Sequence, residues 1–281
     1  MRVDVSGKTR LLGVIGHPIS HTLSPRMHNA AFAASGSDYV YVAMDVEPQD
    51  LPAAVAGLEA LGFCGFNVTT PHKEAILPLL DELDEAALVS GAVNTVLVSS
   101  DGLRGTNTDG SGFVEAGGGF GVSFEGARVL LIGAGGAATA IAAAVLGAGA
   151  RGVRVLNRTN SRAEKLRDRM RAAYPEAGLS VHAGGHPEEA VSGADVIVNA
   201  TYLGMKEWDP LPIPAELLRP GMVVCDVVYR PGGETKLVRR AKERGLRVIP
   251  GERMLLYQGV QAQRIWTGKE PDVGAMSDAL S

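Results

Sequence analysis

The chain has 281 residues, of which 46% are hydrophobic and 21% charged, and its formal net charge is −4. This length suits two domains, and the acidic balance offers no basic surface for nucleic acid. No apolar run approaches the roughly 18 residues of a membrane span, and no signal pattern precedes the first strand. We therefore expect a cytoplasmic protein without a nucleic-acid or membrane partner.

The N-terminal part of the chain predicts alternating strands and helices. Short apolar runs predict strands at residues 11–15, 39–46, 63–68 and 96–98, with a hairpin return strand at 103–107. Helical patterns cover residues 25–34, 51–61 and 82–89. Ser24 is predicted to cap the first helix, with Pro25 in its first turn. Capping by itself would account for Ser24, but it would not account for Thr22 in the same loop.

The sequence predicts neither a metal site nor a disulfide. His17, His21 and His28 lie in one region, but no carboxylate or cysteine joins them at ligand spacing. Cys64 and Cys225 each lie within an apolar run, far apart in sequence, and are predicted to be free buried thiols.

Lys73 is the first candidate for a catalytic group. It follows the third predicted strand in the run Asn67-Val68-Thr69-Thr70-Pro71-His72-Lys73. We expect Pro71 to end the strand and a helix to begin directly after it, with Lys73 in a first turn where positive charge opposes the helix dipole. A solvated lysine is the alternative, but Asn67 and Thr69 at the same strand end favour a functional role.

Asp109 is the second candidate. It follows the hairpin return strand, in the run Asn107-Thr108-Asp109-Gly110. It could simply cap the helix that follows. Its place directly before the second predicted domain indicates a further role, because clefts form where domains meet.

Residues 127–162 predict a strand–turn–helix–strand unit for a dinucleotide. The strand at 128–132 leads into Gly133, Gly135 and Gly136, with Ala138 in the last place of a Gly-x-Gly-x-x-Ala pattern. Glycines permit a tight turn and close approach of the backbone to a pyrophosphate, and the N-terminus of the following helix favours an anion.

The end of the second strand of this unit, at 153–156, favours NADP over NAD. NAD sites usually carry an acidic residue there, whereas this chain has Asn157, followed by Arg158, Thr159 and Arg162. Guanidinium groups pair with a 2′-phosphate, which a carboxylate would repel. The alternative is that these arginines only solvate the start of a helix.

The rest of the chain completes a two-domain α/β architecture. Helices are predicted at 161–173, 187–191 and 234–244, and strands at 179–182, 195–199, 222–228 and 247–249. A helix after Gly251 is expected to return to the first domain. We predict an α/β substrate-binding and catalytic domain over 1–109 plus 251–281, and a Rossmann-type dinucleotide-binding domain over 110–250, with the reaction in the cleft between them.

Taken together, these motifs resemble those of the shikimate dehydrogenase family. The matching segments are residues 16–25 with 28–29, 67–73, 91–95, 107–110, 133–137, 157–159 with Arg162, 199–201, 226–229, Gly251 and Gln258. The resemblance implies an NADP(H)-dependent oxidoreductase that reversibly reduces 3-dehydroshikimate to shikimate, in aromatic amino acid biosynthesis. It also implies a small-molecule substrate and a monomer or homodimer.

The resemblance assigns roles to individual residues. Lys73 and Asp109 would be catalytic, with the lysine ammonium stabilising and protonating the oxygen that receives the hydride. The substrate would be bound by Thr22, Ser24, Thr69, Asn94, Asp109, Tyr229 and Gln258. The cofactor would be bound by Gly133, Ala134, Gly135, Gly136, Ala137, Asn157, Arg158, Thr159, Arg162, Val227 and Gly251.

Two alternatives stay open at this point. One is a quinate/shikimate dehydrogenase that uses NAD, and the other is a non-catalytic nucleotide-sensing protein on the same fold. The family usually carries serine where this chain has Thr22, whose added methyl narrows the pocket near the substrate carboxylate. Tyr202, where many relatives have serine, has no physical account from the sequence.

Overall fold

A computed structural model of the chain describes residues 5–183, 187–230 and 233–281. The chain divides into two compact units, Met1–Gly112 with Leu255–Ser281, and Phe113–Met254. Each unit contains a sheet with helices packed on it, which confirms the predicted α/β class.

Within the described residues, the first unit is built on a six-stranded sheet. Its strands are β1 (Arg10–Gly16), β2 (Tyr39–Asp45), β3 (Gly65–Val68), β4 (Glu82–Leu83), β5 (Thr95–Ser99) and β6 (Gly102–Thr106), in the order β2-β1-β3-β5-β6-β4. β1 pairs in parallel with β2 and β3, whereas β5 pairs antiparallel with β3 and β6. Parallel pairing brings the carboxyl ends of β1 and β3 to one edge, where His17 N donates to Thr70 O at 3.0 Å.

Helices cover both faces of this sheet. They are α1 (Ser24–Ser35), α2 (Leu51–Ala60) and α3 (Glu85–Ser90). Leu12 of β1 packs with Phe32 of α1 on one face, whereas Ile15 packs with Val55 and Leu58 of α2 on the other. A strand buried on both faces explains why β1 reads as a nearly continuous apolar run.

Two helix starts differ from the prediction. Ser24 does not cap α1, because the N-cap position is Leu23 and makes no side-chain capping bond. The helix expected from residue 82 starts at Glu85, because the Asp84 carboxylate accepts from Ala87 N and caps it. Glu82 instead pairs with Arg104 as part of β4.

The expected helix at Lys73 is absent from the described chain, where residues 70–76 form turns followed by a 3₁₀ turn at Leu77–Leu79. Ile76 N bonds His72 O at 3.0 Å, which completes a single α-type turn. Two features prevent this turn from continuing as a helix. Val93 N occupies the Lys73 carbonyl at 2.8 Å, and Pro78 has no N–H to continue the ladder.

Over the described ranges, the second unit has six strands, all in parallel. Following α4 (Asp109–Gly119), the elements are β7 (Arg128–Ile132), α5 (Gly136–Gly147), β8 (Gly152–Asn157), α6 (Asn160–Ala173), β9 (Gly178–Ala183), α7 (Pro187–Val191), β10 (Val196–Asn199), β11 (Val223–Asp226), α8 (Lys236–Glu243) and β12 (Arg247–Ile249). The order β12-β11-β10-β7-β8-β9 is that of a Rossmann fold, in which ligands bind beyond the carboxyl ends of the central strands.

The C-terminal segment returns to the first unit as two helices, α9 (Gly251–Thr267) and α10 (Val273–Leu280), where the sequence had indicated one. Leu256 and Val260 of α9 pack with Met276 of α10 against Met27 of α1. Trp266 lies against the sheet, and its Nε1 donates to Val96 O at 2.9 Å. This packing places the middle of α9 beside the catalytic candidates.

Candidate active site

The first unit pairs the two catalytic candidates directly. Lys73 Nζ lies 2.5 Å from Asp109 Oδ2, and the two side chains are 17% and 6% exposed. A charge pair that is this strongly buried is stable only when further hydrogen bonds satisfy the remaining atoms. The lysine side chain is the more accessible of the two, so it is the one that can reach a ligand.

Asn94 completes the coordination of the aspartate. Its Nδ2 donates to Asp109 Oδ1 at 2.8 Å and to Thr108 Oγ1 at 3.0 Å. Its Oδ1 accepts from Thr108 N at 2.8 Å. Both oxygens of Asp109 therefore have a donor, which holds the carboxylate as an acceptor towards Lys73.

Gln258 closes the group from α9. Its Oε1 lies 3.5 Å from Asn94 Nδ2, and its Nε2 donates to Leu255 O at 2.8 Å. A Cβ on Gly112 would lie 2.5 Å from Gln258 N, so only glycine permits this approach of α4 to α9. The structure thus brings Lys73, Asn94, Asp109 and Gln258 together from distant parts of the sequence.

Ser24 was expected to have a structural role as the cap of α1, and Thr22 was not, but the structure shows the reverse. Thr22 Oγ1 accepts from Ser24 N at 3.3 Å and donates to Ser24 Oγ at 3.2 Å, so Thr22 shapes the loop. Ser24 performs no capping. In the described structure neither hydroxyl bonds the Lys73–Asp109 pair.

Thr69 follows β3 and is half-buried. Its N donates to Ile15 O at 2.9 Å. A Cβ on Gly16 would lie 2.4 Å from Thr69 Cγ2, so the first ligand loop and the lysine segment are packed closely. Thr69 thus lies beside the loop that carries Thr22 and Ser24.

Four polar residues next to this group have no role assigned from the sequence, although all but one of them lie in the same motifs. They are Tyr41, Asn67, Thr95 and Thr108, and they form hydrogen bonds that lead to Asn94. From the sequence, Asn67 favours a functional role for the strand end beside Lys73 but has no role of its own. The available signal was the adjacency of Thr95 to Asn94 and of Thr108 to Asp109, on strand ends that meet at one edge of the sheet.

The glycine loop of the second unit contains one glycine that packing requires and one that lies in open space. Gly133 has φ of 114°, and a Cβ there would lie 2.8 Å from Ala200 O, so the fold itself requires this glycine. Gly135 has nothing within 4 Å of an added Cβ, and it is the N-cap of α5 without a side-chain capping bond. Gly136 and the half-buried Ala134 and Ala137 complete the loop. The open backbone N–H groups of this helix start fit a pyrophosphate.

The segment after β8 presents its cations outward. Asn157 Nδ2 donates to Thr159 O at 2.8 Å and so shapes the turn itself. Arg158 and Arg162 are exposed, and in the part of the chain that the structure describes neither makes an ion pair. Two exposed guanidinium groups in this position fit a 2′-phosphate.

Beyond β11, a buried carboxylate organises the segment that carries Val227 and Tyr229. Asp226 accepts from Asn199 Nδ2 at 2.9 Å, from Thr235 Oγ1 at 2.6 Å and from Val228 N at 3.1 Å. Burial raises the pKa of Asp226 to about 6, against the opposing effect of these three hydrogen bonds.

Gly251 packs directly on this segment. A Cβ there would lie 2.5 Å from Val228 O and 2.8 Å from Val227 O. The glycine is thus required by packing within the second unit, whatever its distance from a cofactor. Val227 N is fixed by a bond to Asn199 O at 3.0 Å.

The described residues also bear on metal binding, membrane contact and the two cysteines. No group of three or more histidine, cysteine, aspartate or glutamate side chains in them is placed to hold a metal ion. No helix among them has the length and apolar character to cross a membrane. In this part of the chain Cys64 and Cys225 are both free; Cys225 is buried as expected, whereas Cys64 is only half-buried.

Comparison with known families gives a consistent result along the chain. Residues 14–96 match the shikimate dehydrogenase substrate binding domain, residues 116–204 match the shikimate / quinate 5-dehydrogenase family, and residues 251–280 match the shikimate 5′-dehydrogenase C-terminal domain.

Individual relatives agree over their full length. A shikimate dehydrogenase (NADP(+)) of Rubrobacter xylanophilus is 58% identical, with 99% of this chain and 97% of the relative covered. A crystal structure of a shikimate dehydrogenase with NADP+ superposes with a TM-score of 0.90 at 39% identity, over 99% of this chain and 96% of that one. The Thermus thermophilus enzyme with NADP(H) and shikimate has a TM-score of 0.87 at 39% identity, over 97% and 98%.

Proposed function

Because the chain belongs to the shikimate dehydrogenase family, we propose that it catalyses the reversible, NADPH-dependent reduction of 3-dehydroshikimate to shikimate. The observation that carries the proposal is the buried Lys73–Asp109 pair, at 2.5 Å, beside the amide of Asn94. We place this enzyme in the shikimate pathway, in the cytoplasm, as a monomer or homodimer.

Lys73 is proposed as the acid in the reduction. The lysine ammonium has three N–H donors, of which one is directed at Asp109 Oδ2. A second donor can meet the substrate ketone, where negative charge develops as the carbonyl carbon is reduced. Lys73 then passes one proton to that oxygen, and in the reverse direction it takes the proton back.

Asp109 and Asn94 are proposed to orient the lysine and to bind the substrate hydroxyls, with Thr69 and Gln258. Asp109 has one oxygen on Lys73 and one on Asn94, so its position is determined from two sides. Thr22, Ser24 and Tyr229 are proposed to bind the substrate carboxylate through their hydroxyls. Apart from Tyr229, these proposed substrate-binding residues belong to residues 1–109 and 251–281.

NADPH, when bound, supplies the hydride that the reduction requires. We assign its binding to residues 110–250, together with Gly251 directly after them. Gly133, Ala134, Gly135, Gly136 and Ala137 would hold the pyrophosphate, because their loop leads into the uncapped N-terminus of α5. Asn157, Arg158, Thr159 and Arg162 would hold the adenosine 2′-phosphate, and Val227 and Gly251 the nicotinamide end.

The test is nicotinamide absorbance with purified protein in four mixtures, shikimate or quinate, each with NADP or NAD. Rapid reduction of the nicotinamide only with shikimate and NADP is the expected result. Equal turnover with quinate or NAD would move the assignment to a quinate/shikimate dehydrogenase. No change in nicotinamide absorbance in any of the four mixtures would overturn the enzymatic assignment in favour of a nucleotide sensor.

A further inference from the structure

Behind Asn94, on the side away from Asp109, lies a line of buried polar groups that the reaction itself does not need. It consists of Thr95, Asn67 and Tyr41, which are 0%, 7% and 1% exposed. Tyr41 is held in turn by stacking on His28, with ring centroids 4.3 Å apart. Burying three polar side chains beside a catalytic group calls for a physical reason, because each unsatisfied atom is costly.

The orientation of Asn67 is determined by its neighbours. Its Nδ2 donates to Asn94 O at 2.9 Å and to Thr95 Oγ1 at 3.0 Å. A backbone carbonyl can only accept, so the nitrogen must lie on that side. The Asn67 Oδ1 therefore faces the Tyr41 hydroxyl, which donates to it at 2.6 Å.

Thr95 continues the same hydrogen-bond direction from Asn67 to Asn94. Its oxygen already accepts from Asn67, so its single hydroxyl proton is available for Asn94 Oδ1 at 2.9 Å. A longer contact of 3.3 Å joins Thr95 Oγ1 to Thr108 Oγ1. Asn94 Oδ1 thus receives both the Thr95 hydroxyl and Thr108 N, which leaves its amide nitrogen facing Asp109.

We propose that Thr95, supported by Asn67 and Tyr41, is a positioning residue that sets the hydrogen-bond direction of Asn94 and so holds Asp109 in place for Lys73. This inference rests on the proposed function, because it explains how that site is pre-organised. The line has a defined polarity, with each hydroxyl or amide donating towards the aspartate. An Asn94 amide turned the other way would put its oxygen against the carboxylate and lose both donors.

The central test replaces the Thr95 hydroxyl with a methyl of similar shape. Thr95→Val removes one donor from Asn94 Oδ1 and one acceptor from Asn67, and we expect kcat to fall about tenfold. The KM for NADP should be unchanged. Thr95→Ser restores the hydroxyl and should restore most of kcat. In an Asp109→Ala background, Thr95→Val should have no further effect, because nothing is left to position.

Thr106→Val is the matched control. Thr106 lies directly opposite Thr95 in the β5–β6 ladder, and its hydroxyl donates to Asp84, outside the line. It should keep its kcat, while thermal unfolding reports any loss of stability in each variant. Tyr41→Phe, which removes only the far end of the line, should lower kcat by a smaller factor of about three.

A readout without turnover separates this inference from the proposed function. Exchange of the Asn94 side-chain amide protons, followed by NMR, should accelerate in Thr95→Val and not in Thr106→Val. Inactive wild-type protein would overturn the proposed function, while the exchange data would still decide the positioning role. The inference would be overturned if Thr95→Val kept the wild-type kcat and the wild-type exchange rate. It would also be overturned if Thr95→Ser did not recover kcat, or if Thr106→Val lost as much kcat as Thr95→Val.

Discussion

The two units use their polar side chains in opposite ways. In the first unit, Lys73, Asn94 and Asp109 are held by hydrogen bonds to one another, and Asn94 and Asp109 are buried. In the second unit, Gly135 faces open space and Arg158 is exposed. Groups that must act at one defined geometry are fixed by hydrogen bonds within the protein. Groups that bind a charged cofactor are instead exposed, so that the cofactor can supply their hydrogen-bond partners. This contrast predicts different failures in the two units.

The largest effect should come from breaking the buried pair. Lys73→Ala and Asp109→Ala should each lower kcat by about 10²–10⁴, because the acid and its orienting carboxylate are lost. The measurement is initial rate with shikimate and NADP. Lys269→Ala, at an exposed position, is the matched control and should retain its rate. Full turnover in both site variants would refute the mechanism.

A smaller effect, on cofactor choice, is expected in the second unit. Arg158→Ala and Arg162→Ala should each lower the ratio of kcat/KM for NADP to that for NAD by about 10- to 100-fold, because a charge-assisted hydrogen bond to the 2′-phosphate is lost. Arg151→Ala, also exposed, serves as control. An unchanged ratio in both variants would show that the 2′-phosphate is bound elsewhere.

The two glycines should separate folding from binding. Gly135→Ala places a methyl in open space at φ of −97°, so the protein should fold normally while its Kd for NADP rises about tenfold. Gly133→Ala meets Ala200 O at φ of 114° and should lower the free energy of unfolding by about 1–3 kcal/mol. Thermal unfolding and cofactor titration of both variants check this. The reverse pattern would contradict the division of roles.

The last effect concerns pH, and the two units should respond with opposite sign. Burial lowers the pKa of His28 in the first unit from 6.5 to about 3, and it raises the pKa of Asp226 in the second from 3.8 to about 6. The stability that neutral His28 contributes is lost as pH falls below 6.5 towards 3. The stability from protonated Asp226 is full below 3.8 and is lost as pH rises through 6. Each slope is at most about 1.4 kcal/mol per pH unit.

Urea unfolding across this pH range tests both groups. His28→Gln should flatten the loss of stability on the acid side, and Asp226→Asn should flatten the loss on rising pH. Curves parallel to that of the wild type would show that the buried group does not titrate between the folded and unfolded states as proposed.

Sequence patterns predicted most elements of the second unit closely, and fewer details of the first. The strand expected at 128–132 has those bounds, because an apolar run bordered by a charged residue and glycine is a local signal. The helix expected at Lys73 does not form, because the bond from Val93 N to the Lys73 carbonyl comes from the distant loop before β5. The same holds for residue 82, which pairs with Arg104.

For the site, the sequence by itself determined which chemical groups are present: the lysine, the aspartate, the amide of Asn94, the glycine loop and the outward arginines. Each of these groups belongs to a short segment whose residue types can be recognised without knowing what the segment packs against. Tertiary structure alone decided that Thr95, Asn67 and Tyr41 line up behind Asn94, and that Thr22 rather than Ser24 shapes its loop. Hydrogen-bond direction depends on which donors and acceptors face one another across strands, and that arrangement exists only once the sheet has formed.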